Sequence, residues 1–132
     1  MVFDVYMVPR EALLVGRPKG ILDVLTAERI VEFVEIKELE SETGFNRFCD
    51  LTNLLEIHLS SADVLQLAVR RRTFNPNNIH VKSAFFATDE AGLALARTFE
   101  RLLNSPRIEV RVWSNLQAAA DWLGVKRERL VH

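Results

Sequence analysis

The sequence predicts an α/β domain in which α-helices pack against a mixed, mainly parallel sheet of about five strands. Two observations indicate this fold class. Two short segments rich in Val and Leu open the chain, and short apolar segments then alternate with segments of helical periodicity. Strands separated by helices need right-handed crossovers, which make neighbouring strands parallel. The 132 residues fit a single domain covering residues 1–132.

The opening segments, residues 3–8 and 12–15, predict two antiparallel strands with a short connection. Two glycines and a proline within residues 16–20 predict a break in regular structure. Thr26 is then the expected N-cap of a first helix, and Gly44 is the expected left-handed residue at its end.

Beyond this helix the chain repeats a strand–helix order. The expected strands cover residues 45–51, 80–87 and 109–113. The expected helices cover residues 62–74, the segment that opens at Asp89 and stops at Asn104, and residues 116–123.

The first predicted helix carries more apolar side chains than one sheet layer can bury. Its sheet-facing stripe is expected to contain Ala27, Ile30, Val31 and Val34. The apolar residues expected outside that stripe, and hence a candidate surface for a homodimer, are Phe33, Ile36 and Leu39. The alternatives are that the helix ends early or that a neighbouring helix covers them.

Composition limits the classes of partner. The chain has 17 basic and 18 acidic residues, a net charge of −1, which argues against a nucleic-acid partner. No apolar run approaches the roughly 18 residues of a membrane span, and the N-terminus lacks the basic start of a signal peptide. The single cysteine, Cys49, excludes an internal disulfide. We therefore expect a cytoplasmic protein.

No pattern predicts a catalytic, cofactor-binding or metal-binding site. Gly16 and Gly20 have three intervening residues and precede Ile-Leu, whereas a phosphate loop needs four intervening residues and Lys-Ser or Lys-Thr. Cys49 falls within a predicted strand and is expected to behave as a small hydrophobe. The histidines lack the spacing of metal ligands: His58, His80 and His132. We expect no enzymatic activity.

Three further features each have a functional and a structural interpretation. Asp50 lies at the carboxyl end of the third predicted strand, where α/β proteins place functional groups, but the favoured interpretation is that it fixes the next loop by accepting from backbone amides. The run Arg70-Arg71-Arg72 could contact an acidic partner, although a solvated helix end is favoured. Trp113 and Trp122 are expected to be packing residues.

Several segments resemble the SpoIIAA-like branch of the STAS domain superfamily. They are Ala-Leu-Leu-Val-Gly at residues 12–16, Leu-Thr-Ala-Glu at 25–28, Phe-Cys-Asp-Leu-Thr at 48–52, Ala-Phe-Phe-Ala at 84–87, and Val-Arg-Val-Trp at 110–113 with Leu-Gln-Ala-Ala-Ala-Asp-Trp-Leu-Gly at 116–124. They cover nearly the whole chain in order. The resemblance implies a mixed sheet with packed helices.

The resemblance also implies a regulatory site. Anti-sigma-factor antagonists of this superfamily are phosphorylated on a serine of an Asp-Ser-Ser-Gly motif, at the start of the helix after the third strand. This chain has Leu59-Ser60-Ser61-Ala62 there, so Ser60 matches the phosphorylated serine, while the aspartate and the glycine are missing. The alternative is that Ser60 or Ser61 caps the helix.

The function implied by the resemblance is that of a non-enzymatic binding or regulatory domain, which acts through a protein partner of unknown identity. The alternative is a protein that binds a small apolar or lipid-like ligand, because the SpoIIAA-like branch is grouped with Sec14-type lipid-binding domains. A partner-binding domain needs an exposed apolar or charged face, whereas a ligand-binding protein needs an enclosed pocket.

Overall fold

A computed structural model describes residues 3–74, 76 and 78–131, with the side chain of Phe3 excepted. The described strands are β1 Phe3–Val8, β2 Leu13–Pro18, β3 Gly20–Asp23, β4 Asn46–Asp50, β5 Leu54–His58, β6 Val81–Phe86 and β7 Ile108–Trp113. The described α-helices are α1 Val24–Glu40, α2 Ser61–Thr73, α3 Glu90–Leu103 and α4 Leu116–Leu123. Two 3-10 turns, Pro9–Glu11 and Arg127–Arg129, complete these elements.

The described residues form a main sheet of five strands in the order β1-β2-β4-β6-β7. Strand β1 is antiparallel to β2, and the pairs β2–β4, β4–β6 and β6–β7 are parallel. The predicted fold class, a mixed and mainly parallel sheet of about five strands with packed helices, is confirmed.

A second, two-stranded parallel sheet pairs β3 with β5. The prediction that residues 16–20 interrupt regular structure was wrong, because β2 continues to Pro18 and β3 begins at Gly20. Proline is tolerated at the end of β2, because that end pairs with β1 alone and lies beyond the register with β4. Gly20 has a φ of +71°, which lets the chain turn directly into β3.

Helix α1 starts and ends earlier than predicted. Its N-cap is Asp23, whose carboxylate accepts from the Thr26 amide at 2.9 Å, so Thr26 lies in the first turn and is not the cap. The helix ends at Glu40 with Ser41 as its C-cap. Gly44 has a φ of +82° but lies beyond this cap, in the connection to β4.

The side chains of the main sheet alternate between two packed faces. On one face α4 and the segment after it cover a core of Leu13, Val15, Phe48, Ala84, Ala119, Ala120, Leu123 and Leu130. On the other face α3 packs against β4, β6 and β7 through a core that includes Ala87, Ala96, Leu103 and Ile108. Helix α1 also lies on this second face, above a pocket.

Candidate functional site

An apolar pocket with a volume of about 130 Å³ lies between α1 and the main sheet. Its walls come from β1, β2, β4, β6, β7 and all three helices of that face. The described lining residues are Val5, Leu14, Gly16, Arg17, Pro18, Ile30, Val31, Phe33, Val34, Arg47, Phe48, Cys49, Arg71, Ser83, Phe85, Phe99, Leu103 and Ile108.

The missing side chain of Gly16 accounts for part of this space. Gly16 lies inside β2, paired with Val5 on one side and Cys49 on the other, and both partners also line the pocket. A Cβ atom added at Gly16 would meet no atom within 4 Å. A methyl group would therefore fit here without a clash, and the glycine keeps the space open.

Helix α1 forms the roof of the pocket and is only loosely packed. Of residues 24–40, all of which the structure describes, Ala27 is the one buried residue. The residues of α1 that line the pocket are Ile30, Val31, Phe33 and Val34. A helix that rests on a pocket leaves its apolar side chains half-buried, as these are.

The expectation that Phe33 points away from the sheet was wrong. Phe33 follows Ile30 by three residues, so both lie on the same side of α1, and Phe33 lines the pocket. Ile36 and Leu39 are exposed, at 47% and 63% of their surface. The apolar surface of α1 available to a second copy is thus smaller than predicted.

A network of charged side chains holds α1 over the pocket. Glu38 of α1 accepts two hydrogen bonds from Arg71 of α2, at 2.8 and 2.6 Å, and one from Arg47 of β4 at 3.0 Å. Glu35 of α1 accepts from Arg70 of α2, the shortest of these contacts being 2.6 Å. These charge-assisted bonds join α1 to α2 and to β4.

The favoured interpretation of the run Arg70-Arg71-Arg72, a solvated helix end, was wrong for Arg71 and Arg72. Arg71 is 5% exposed and sits between α1 and the sheet, because two glutamates on α1 compensate its charge. Arg72 donates to the carbonyl groups of Leu102 and Leu103, near the C-terminus of α3. The run therefore joins helices to one another.

Arg47 is a buried polar residue of the pocket whose set of hydrogen-bond partners is incomplete. Burial lowers its pKa to about 10, and the neighbouring positive charge of Arg71 adds to this shift, while Glu38 opposes it. Its Nη1 donates to Glu38 and its Nη2 to the Phe45 carbonyl at 3.1 Å. Its Nε is buried and has no hydrogen-bond partner among the described residues.

Cys49 lies next to Arg47 on the same face of β4 and also lines the pocket. Burial raises the pKa of its thiol from 9.0 to about 12, and the negative charge of Asp50 contributes to the rise. The thiol is therefore protonated at neutral pH. This environment confirms the expectation that Cys49 behaves as a small hydrophobe.

The three residues predicted as regulatory, Asp50, Ser60 and Ser61, do not line this pocket. Asp50 accepts from the amide and the hydroxyl of Thr52, at 2.9 and 2.6 Å, so the loop-fixing interpretation is confirmed. Its other oxygen lies 3.7 Å from Nε of the buried Arg17.

Ser60 is the N-cap of α2. Its hydroxyl accepts from the Asp63 amide at 3.1 Å, and the Asp63 carboxylate accepts from the Ser60 amide at 2.8 Å, which is a complete capping box. Ser61 is the first residue of the helix and is exposed. The capping interpretation is confirmed for Ser60, and a regulatory role for either serine stays a prediction.

Other residues considered as sites form ordinary contacts. Lys19, in the glycine segment, lies 2.7 Å from the Asp4 carboxylate. His58 is an exposed neighbour of Glu56, and His132 lies outside the described residues. Trp113 and Trp122 pack with ring centroids 5.9 Å apart, beside the core under α4, as predicted.

The described residues contain neither a metal-binding cluster nor a membrane-spanning helix. No group of three or more His, Cys, Asp or Glu side chains that could hold a metal ion occurs among them. None of the helices that the structure describes is long and apolar enough to cross a membrane.

The sequence patterns did not single out the pocket. Two signals in the sequence could have indicated it: a glycine within an apolar strand, Gly16, and an arginine within another, Arg47. Each contradicts the preference of its strand for bulky or apolar residues. Such local contradictions are expected at functional sites.

Comparison with known proteins bears on the fold. No family model matches the chain, and no curated protein matches its sequence. A crystal structure of an uncharacterised protein of the DUF3478 family from Shewanella loihica PV-4, described as having a SpoIIAA-like fold, aligns with a TM-score of 0.60 at 16% sequence identity. The alignment covers 92% of this chain and 91% of that chain. Together with the five-stranded mixed sheet, this similarity shows that the chain has a SpoIIAA-like fold, as its sequence resemblance implied.

Proposed function

We propose that this chain is a non-enzymatic binding domain whose pocket beneath α1 takes a small, largely apolar ligand. The observation that carries the proposal is the pocket itself, about 130 Å³ in volume and lined mainly by aliphatic and aromatic side chains. Apolar cavities of about 150 Å³ bind molecules of the size of benzene, so this volume suits a compact apolar group of about six carbon atoms.

Energetics support a ligand in preference to a packing defect. Protein interiors are close-packed, and the apolar side chains that line an unfilled pocket lose contacts with partner atoms, which has a cost in free energy. A methyl group at residue 16 could remove part of that cost without a steric clash, yet the residue is glycine. A bound ligand would offset the same cost.

The chemistry of the lining supports binding without catalysis. Among the described residues that line the pocket there is no Asp, Glu or His, so a general base is lacking there. The one thiol, Cys49, has a pKa raised to about 12 and is a poor nucleophile at neutral pH.

Ligand binding in the pocket can be tested by filling it, either with a small molecule or with a side chain at residue 16. Thermal unfolding of the wild-type protein should show a saturable rise in Tm with hexan-1-ol, because a ligand that binds the folded state stabilises it. Gly16→Val should raise Tm without ligand and abolish the response, since its side chain occupies the ligand's space. The control variant Glu109→Val introduces valine at an exposed position of β7 and should retain the rise in Tm with hexan-1-ol.

An unsaturable response in the wild type, or an equal response in Gly16→Val, would exclude the pocket as the binding site. Native mass spectrometry of the purified protein adds an independent readout. A copurified small molecule that is absent from the Gly16→Val protein would identify the ligand directly.

Binding to a protein partner is the second candidate function, and exposed apolar side chains favour it. Four of them lie on β3, β5 and the first turn of α1: Ile21, Val24, Leu25 and Leu55. Leu55 is 84% exposed, an unusual degree for a strand residue of this size. If the partner is a second copy, sedimentation of the wild type should show a dimer and Leu55→Glu a monomer. A wild-type monomer at high micromolar concentration would exclude self-association.

A further inference from the structure

Strand β7 forms one edge of the main sheet, and among the described strands it pairs with β6 alone. The amide of Val81 donates to the Arg107 carbonyl, and the amide of Ala87 donates to the Trp113 carbonyl. The odd-numbered residues of β7 therefore direct their backbone groups toward β6. Because successive strand residues direct these groups to opposite sides, the groups at the free edge are those of Ile108, Val110 and Val112.

This free edge has unused hydrogen-bonding groups. The Ile108 amide donates to the Ser105 hydroxyl at 3.3 Å. The amides of Val110 and Val112 have no hydrogen-bond partner within the part of the chain that the structure describes. A row of unpaired strand donors and acceptors is a template for pairing with another strand.

The side chains of β7 divide into an apolar and a charged set. Val110 and Val112 pack on the face of the sheet that α3 covers. Glu109 and Arg111 project from the opposite face and are exposed. The sequence Ile-Glu-Val-Arg-Val at residues 108–112 thus places opposite charges on either side of Val110.

An antiparallel copy of the same strand complements this pattern. When two copies pair about a twofold axis at Val110, Glu109 of each copy lies opposite the partner's Arg111. Opposite charges in directly opposed positions stabilise a strand pair, and like charges destabilise it. Since the backbone groups of Val110 point outward, the opposed charges occupy a non-hydrogen-bonded pair, where side chains are closest. An axis at Glu109 or at Arg111 would instead oppose like charges.

We propose that β7 is a self-association surface, on which a second copy of this chain pairs in antiparallel orientation so that two five-stranded sheets join into one. Two hydrogen bonds join Val110 to the partner's Val110. Two more join the Val112 amide of each copy to the Ile108 carbonyl of the other, while the Ile108 amide stays with Ser105. A twofold dimer is the commonest form of small oligomer.

Charge complementarity specifies the register of this dimer. Glu109 and Arg111 already lie 3.5 Å apart within one chain, so the two copies together form a cluster of four alternating charges around the axis. Neither residue lines the pocket beneath α1. The dimer is therefore independent of the ligand proposed above, and either proposal can fail without the other.

Reversal of single charges tests the pairing. Glu109→Arg and Arg111→Glu each oppose like charges at both pairs, so each should raise the dissociation constant from sedimentation equilibrium by at least about tenfold. An equimolar mixture of the two variants should recover the wild-type value, because every opposed pair in the mixed dimer is again of opposite sign. This recovery also shows that both variants are folded.

Hydrogen exchange locates the contact on the strand. The amides of Val110 and Val112 should be protected in concentrated solution and exchange quickly on dilution, whereas those of Glu109 and Arg111, which point toward β6, should stay protected in both. Leu55→Glu alters an exposed residue of β5, outside the main sheet, and should dimerise as the wild type does. A wild-type monomer at millimolar concentration, or a dimer that neither charge reversal weakens, would overturn the inference.

Discussion

At the residue scale, burial pushes two titratable groups of β4, Arg47 and Cys49, toward their neutral forms. The pKa of Cys49 rises to about 12, and the pKa of Arg47 falls to about 10. Both shifts follow from the cost of a charge in an apolar environment. Their consequences differ, because a thiol stays neutral at pH 7 whereas a guanidinium stays charged and needs an anion.

Cys49 provides a prediction about pH. Because its folded pKa is raised above the ordinary 9.0, the unfolded state releases a proton first as the pH rises. The protonated Cys49 thiol therefore makes its full contribution to the free energy of unfolding below about pH 9. This contribution is lost as the pH rises from 9 to about 12.

Alkylation by iodoacetamide gives a direct readout of the same group. Cys49 should react far more slowly in the native protein at pH 8 than in urea, because the buried thiol stays protonated and the thiolate is the reactive form. Addition of hexan-1-ol should slow the native reaction further, because Cys49 lines the pocket. A native rate equal to the unfolded rate would show that the thiol is not held in the pocket as described.

Sequence reasoning succeeded for residues whose roles depend on near neighbours. Asp50 bonds to Thr52, and Ser60 bonds to Asp63, so local spacing was enough to predict a loop-fixing and a capping role. It failed for Arg71, whose partners Glu35 and Glu38 lie more than thirty residues away along the chain. The burial of a charge is decided by such distant partners.

At the scale of elements, the capping box of α2 predicts a specific stability change. Ser60→Ala should lower the free energy of unfolding by about 1 kcal/mol, because it leaves the Asp63 amide without its acceptor. Ser60→Asp should retain most of the stability, since aspartate is also a good N-cap. Ser61→Ala, one residue inside the helix, is the matched control, and equal losses for the two alanine variants in urea unfolding would contradict the capping role.

The loose packing of α1 predicts its dynamics. Helix α1 buries Ala27 alone within its fully described span, whereas α3 and α4 bury three residues each within theirs. Native-state hydrogen exchange should therefore show α1 amides opening at a lower free energy than those of α3. A bound ligand should reduce the difference in opening free energy between α1 and α3, because it fills the space beneath α1. Equal protection of α1 and α3 without ligand would argue against access to the pocket through α1.

Strands β3 and β5 mark the limit of element prediction. β3 has 4 residues and β5 has 5, and the two pair only with each other. Short strands of this kind gain their stability from tertiary packing, here of Leu22, which is buried. The glycines and the proline of residues 16–20 predicted a break in regular structure where β3 begins, because local residue signals do not record such packing.

At the scale of the whole molecule, alternation of strands and helices was sufficient to predict a mixed, mainly parallel sheet with packed helices, and the SpoIIAA-like fold was implied by the resemblance of several segments. Periodicity records which face of an element is apolar, and that information determines the layers. It does not record how completely two layers fill the space between them. The pocket depends on that filling, at Gly16 and along α1, so periodicity alone could not predict it.

The most direct test of ligand binding beneath α1 is a methyl NMR titration with hexan-1-ol. The largest shift changes should occur at Val34 and Leu103, which line the pocket, and the smallest at Val15 and Leu123, which lie in the core under α4. In the Gly16→Val protein these changes should disappear. Changes that are equal on both faces of the sheet, or that persist in Gly16→Val, would contradict the proposed site.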